Sequence, residues 1–152
     1  MKRFQKILAV TTFAVILFTG CSKDDDNDND PVNLTNKELL TAKTWQVGET
    51  YQNLSGTRTH YLKGGENTSG VNMGALRLKF NTDGSGSHTD VNGTNYTFTW
   101  AFSSADESTI HLIIEGNIII DWYFVDIESD VVVQSTNVST NGLITAKWIP
   151  VP

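Results

Sequence analysis

From residue 44 to residue 150 the chain is a run of short segments in which apolar and polar residues alternate, separated by turns rich in Gly, Asn and Asp. ALRLKF (75–80) places Leu76, Leu78 and Phe80 on one side and Arg77 and Lys79 on the other. YTFTWAF (96–102) places Tyr96, Phe98, Trp100 and Phe102 together, with Thr97, Thr99 and Ala101 opposite. A period of two is the signature of a strand with one dry face and one wet face. No helical pattern lies between these segments. Parallel strands need a crossover of about a dozen residues or more, so βαβ units are excluded and the strands must pair antiparallel.

The segments are 44–52, 57–63, 75–80, 85–91, 96–102, 109–115, 117–126, 131–136 and 143–150. Asp83-Gly84 and Asn92-Gly93 are tight-turn dipeptides, and Gly116 joins two strands directly. Residues 64–74 form the one long Gly- and Asn-rich loop. Such a meander closes as an up-and-down barrel or stacks as a sandwich. A barrel is favoured, because consecutive hairpins can close on themselves and leave no open edge. The expected fold is therefore an all-β, small up-and-down antiparallel barrel of about eight strands. One short helix precedes it over 36–42, where Thr35 and Glu38 have the spacing of a capping box. Strand 117–126 is apolar on both faces, so its outer face should meet the helix, the 64–74 loop or a partner.

The amino terminus reads differently. Lys2, Arg3 and Lys6 precede an apolar run over residues 7–18. That run suits a secretory signal and is short of the about 20 residues that span a bilayer. Phe18-Thr19-Gly20-Cys21 resembles the bacterial lipobox, with Phe18 where the strongest examples carry Leu. The resemblance implies cleavage before Cys21, the chain's one cysteine, and acylation of its sulfur and amine. Each buried methylene of such a lipid contributes about 0.8 kcal/mol, and two chains make anchoring stable. The domain organisation expected is a signal peptide over 1–20, an acylated cysteine with an acidic tether over 21–33, and a barrel over 34–152. The tether SKDDDNDNDP cannot build a core, because its acids repel one another. Asp24, Asp26 and Asp28 copy the start of a calcium loop, but Asn29 replaces the required Gly and Thr35 the required Glu. CSKDDD also resembles the export signal of surface lipoproteins of Bacteroidetes-type bacteria. It implies an outer-membrane lipid anchor facing the cell surface, with the periplasmic face as the alternative.

LTAKTWQV and LRLKFNTDGSGS, within the order helix, Trp45 strand, hairpin and aromatic strand, resemble the small lipocalin-like domains of bacterial lipoproteins. The resemblance covers roughly residues 35–150. Lys43-Thr44-Trp45 lacks the Gly-x-Trp glycine of the larger lipocalins. In that fold the early Trp closes one end of the barrel beside a basic residue of a late strand. Trp45 matches the first role, and Lys147 is the candidate for the second.

Net charge is −6, with no basic stripe, which argues against nucleic acid as a partner. His60, His88 and His111 have no metal-site spacing between them and read as surface histidines. No Gly-x-Ser-x-Gly elbow is present. Carboxylates at strand ends, such as Asp121, Asp126, Glu128 and Asp130, leave a hydrolase open without singling out a pair. No enzyme, metal or cofactor is expected. Six Asn-x-Ser/Thr sequons indicate an Asn- and Thr-rich surface in a bacterial protein. The better lead is aromatic. Trp45, Leu76, Leu78, Phe80, Tyr96, Phe98, Trp100, Phe102, Trp122 and Phe124 are the candidates for the barrel interior, either as a filled core or as the lining of a pocket. Two functions follow: an anchored barrel binding a small hydrophobic ligand or glycan fragment, or the same anchor carrying a filled barrel as an interaction module.

Overall fold

The computed structural model describes residues 33–139 and 142–152. The signal peptide, Cys21 and the acidic tether lie outside the described residues. What is described is an antiparallel barrel of eight strands preceded by one short helix. The helix, α1, spans Asn36–Ala42. The strands are β1 (Thr44–Leu54), β2 (Thr57–Leu62), β3 (Arg77–Phe80), β4 (Ser85–Thr89), β5 (Asn95–Phe102), β6 (Ile110–Ile114), β7 (Ile118–Ile127), β8 (Val132–Ser139) and β9 (Gly142–Pro150).

From β3 to β9 each strand pairs with the next, and β9 closes onto β1 from Trp45↔Pro150 to Leu54↔Gly142. The ninth strand arises because β1 shares its other edge. Its first residues pair with β3 (Thr44↔Lys79 to Gln46↔Arg77), and its second half pairs with β2 (Glu49↔Leu62 to Leu54↔Thr57). The weak segment 57–63 thus forms a short ninth strand hairpinned to β1, and its Tyr61, opposite inward Thr50, is buried in the core. The chain between β2 and β3 crosses the remaining gap in the wall, with a 3-10 turn at Met73–Ala75 whose Met73 is buried.

Turn chemistry sets the register. Ser55-Gly56 and Glu115-Gly116 both take positive φ at two successive residues. At Ser55-Gly56 that is the backbone twist a two-residue hairpin needs to match its strands, whereas Glu115-Gly116 opens a three-residue loop between Ile114 and Ile118. At Asn81–Ser85, the Asp83 carboxylate accepts from the Ser85 backbone N–H (2.9 Å) and hydroxyl (2.7 Å). These two bonds hold the Asp83 carboxyl below the usual carboxylate range.

Helix α1 closes one end. The Thr35 hydroxyl accepts from Glu38 N–H, and Glu38 accepts from Thr35 N–H, which completes the capping box. Leu40 is fully buried, and its carbonyl accepts from the Trp45 indole at 2.8 Å. The helix's last carbonyls would otherwise be orphaned. Lys79 Nζ donates to Thr41 O at 2.9 Å, and Lys43 Nζ donates to Ser129 O. Lys147 does not sit by Trp45. It faces outward between the buried Ala146 and Trp148, and a bulge at Gly48 brings Glu49 opposite it.

Above this base lies an aromatic cluster. Phe80 meets Phe98, Trp100 and Trp122 edge-on, with centroids at 5.3, 5.3 and 5.8 Å. Edge-to-face contact suits the ring quadrupoles and adds about 0.5–1.5 kcal/mol per pair to the burial itself. The Trp100 indole donates to Ser85 O at 3.0 Å, so the cluster is tied to the β3–β4 turn.

Candidate functional site

Directly paired residues share a face of the sheet, so the registers say which side chains point into the barrel. Of the sequence candidates, Trp45, Leu78, Phe80, Phe98, Trp100 and Trp122 are buried in the core. Leu76 and Phe102 are partly buried and pack against it. Leu76 does so from the end of the 3-10 turn, one residue before β3 begins. Tyr96 faces inward beside His88, with ring centroids 6.1 Å apart. Phe124 is a correction: it is 82% exposed. Between Tyr123↔Ser135 and Asp126↔Val133 the β7 strand carries a bulge, and Phe124 sits in it with φ +52°. The extra residue reverses the alternation, so Val125 packs on the core in its place. On the outer face of β7, Ile119 is 63% exposed.

The interior is graded along its axis. Near α1 the inward side chains Trp45, Val47, Ile110 and Val132 are fully enclosed. At the other end, Gln52, His88, Tyr96, Ile114, Ile120 and Ile144 also point inward yet keep some solvent contact, and Ile118 at the rim is 57% exposed. Between these two zones lies a polar layer that the sequence candidates missed. Thr50, Gln134 and Thr136 are buried and inward, on β1 and β8. Thr136 Oγ1 donates to Gln134 Oε1 at 2.8 Å, and Thr50 Oγ1 lies 3.6 Å from Met73 Sδ. Trp148 stacks on Trp122 (5.8 Å, 21°), and its buried indole N–H meets no acceptor among the described residues. His88 is no surface residue. Its place opposite Leu78 and Tyr96 turns it into the barrel, and burial pushes its pKa down. Alternation within SGSHT carries this signal once Leu78 is known to be its partner; the sequence does not supply the pairing.

Outside the barrel are two further constellations. His60 on β2 lies between two carboxylates, Nδ1 to Glu66 Oε2 and Nε2 to Glu49 Oε1, both 2.9 Å. Its ring stacks on Tyr51 at 4.4 Å and 7°, and the Tyr51 hydroxyl donates to Glu49 at 2.8 Å. Glu66 and then Glu49 raise the His60 pKa. The Tyr51 and His60 bonds lower that of Glu49, and the Glu49 bond raises that of Tyr51. On the opposite wall His111 Nδ1 meets Asp121 at 2.6 Å across the β6–β7 pair. That dyad is about one-third exposed, and its Asp121 also accepts from the Tyr123 hydroxyl at 3.4 Å. No group of three His, Cys, Asp or Glu among the described residues converges as a metal site. Comparison with protein-family models, with curated proteins and with solved structures finds no match.

Proposed function

We propose that this chain is a lipid-anchored bacterial lipoprotein, held at the outer membrane and facing the cell surface, whose barrel receives a small ligand through the end opposite α1. The observation that carries ligand binding is the buried Trp148 N–H, stacked against Trp122 and without an acceptor among the described residues. A buried donor left unpaired costs about 1–3 kcal/mol, so a molecule presenting an acceptor there is favoured. The ligand class that suits this lining is a small apolar body, or a glycan fragment, with an accepting oxygen. The apolar part would rest against Ile114, Ile120 and Ile144. Support for the anchor comes from the basic and apolar leader, the Thr19-Gly20-Cys21 junction and the acids behind it.

Native mass spectrometry of the chain purified from its own host tests the ligand. A copurifying small molecule lost in Trp148→Phe supports the proposal; an empty wild-type protein sinks it. That second outcome would favour a filled barrel acting as an interaction module, for which the Phe80 aromatic cluster speaks. The anchor is tested separately. Cys21→Ala should move the protein from the membrane to the soluble fraction, and retention on the membrane refutes acylation. Protease treatment of intact cells separates the surface from the periplasmic face.

A further inference from the structure

The Tyr51–His60 stack borders an open cleft of about 350 Å³ on the outer wall, across β2, β1 and β9. Its lining combines a tyrosine face, the apolar side chain of Leu143, the hydroxyl of Thr145, the amide of Asn53 and the guanidinium of Arg58. We propose that this cleft is a second binding site, separate from the barrel interior, and that it takes an acidic saccharide.

Three observations carry the assignment. Tyr51 is 55% exposed yet held in place on two sides, by the parallel imidazole and by its hydrogen bond to Glu49. An exposed side chain normally keeps its rotamer freedom, so a fixed one offers a flat surface with little ordering left to lose on binding. A sugar ring presents a face of C–H groups to such a platform, while its hydroxyls need the short polar partners that Asn53 and Thr145 supply. Second, Arg58 is exposed and makes no ion pair or side-chain hydrogen bond among the described residues, although Glu49 and Glu66 lie on the same wall. Both of those carboxylates are engaged by His60, and Lys147 adds a positive charge beside Glu49. A free guanidinium fork matches a carboxylate in two parallel hydrogen bonds. Third, the frame beneath the cleft is fixed. His60 N–H donates to Thr68 Oγ1, and Thr68 N–H donates to His60 O, each at 2.8 Å. An extended peptide finds both edges of β1 in the cleft already paired, by β2 and β9, which leaves it only the short outer edge of β2.

The test is a calorimetric titration of the full-length chain with digalacturonate, with lactose as a neutral sugar and a tetra-aspartate peptide as a non-sugar anion. Digalacturonate should bind saturably. Its affinity should fall about tenfold or more in Tyr51→Ala and in Arg58→Ala. Tyr51→Phe, which keeps the ring but loses its bond to Glu49, should bind more weakly than wild type and more tightly than Tyr51→Ala. Lactose should bind more weakly than digalacturonate. Absence of saturable binding overturns the proposal, and so does insensitivity to Tyr51→Ala or Arg58→Ala. Equal binding of the peptide would mean that the cleft reads charge alone, and equal binding of lactose would remove the acid from the assignment. Circular dichroism on each variant separates loss of the site from loss of the fold.

Discussion

The Phe98 ring lies across Gly86 on the neighbouring strand: a Cβ at residue 86 would stand 2.2 Å from Phe98 Cζ and 2.7 Å from the Lys79 carbonyl oxygen. Gly86 faces inward between Phe80 and Phe98, so its missing side chain is the space that the Phe98 ring occupies. Gly86→Ala should therefore destabilise the barrel by about 2–3 kcal/mol, at the upper end of overpacking costs. Urea unfolding followed by tryptophan fluorescence reads this as a lowered midpoint. Gly93→Ala offers a contrast, since nothing lies within 4 Å of a Cβ there and only its φ of +84° opposes substitution. A Gly86→Ala midpoint equal to wild type would show that the ring moves aside freely.

Leu40 is the side chain by which α1 closes the barrel, and its carbonyl holds the Trp45 indole. Leu40→Ala should cost about 2–5 kcal/mol, as expected for a buried leucine whose surroundings cannot fully collapse. Thr35→Ala removes only the cap and should cost about 1 kcal/mol. Thermal melts of the two variants should keep that order. A larger loss for Thr35→Ala would place the energy of closure in the cap and not in the docked leucine.

His60 makes the hold on β2 dependent on pH. Its folded-state pKa is raised above the ordinary 6.5 by Glu66 and Glu49. The stabilisation from its charged form is fully present below the ordinary value and is lost as pH rises through the raised one. Glu49, whose pKa is lowered, keeps its charge well into acid, so the upper limb belongs to His60. Amide exchange at Tyr61 and Leu62, corrected for intrinsic base catalysis, should accelerate across that step. In His60→Gln the step should vanish. A step that persists in the variant would assign it to another group.

Phe124 adopts left-handed backbone while 82% of it faces solvent. Such a conformation costs a residue with a Cβ about 1–2 kcal/mol, and little buried area repays it here. Phe124→Gly should therefore leave stability unchanged or raise it by up to about 1 kcal/mol, despite the loss of a large aromatic. Chemical denaturation measures this. A clear loss of stability would mean that the ring is covered in the native protein.

Much of the architecture was legible because its causes are local. Period-two alternation in ALRLKF and YTFTWAF, the Asp83-Gly84 and Asn92-Gly93 turns and the Thr35/Glu38 spacing each act within a few residues. They place nearly every strand and the helix within a residue or two, and they exclude a parallel sheet. Most of the aromatic interior was legible for the same reason; the β7 bulge misplaces Phe124, and the buried Tyr61 and Trp148 were not among the candidates. A bulge answers to the partner strand, so alternation in IIIDWYFVDI carries Phe124 to the wrong face.

What the sequence by itself determined is an antiparallel meander with one dry face, a helix at its head and the expectation of a lipid anchor at Cys21. Tertiary structure decided that β1 divides one edge between β2 and β3, that Lys147 faces away from Trp45, and that Thr50, Gln134, Thr136 and His88 turn inward. It also decided that Tyr51, His60, Glu49 and Glu66 meet on one wall. Those outcomes depend on register between strands far apart in the chain. Alternation says that a residue lies on one of two faces; only closure of the barrel says which neighbours it finds there.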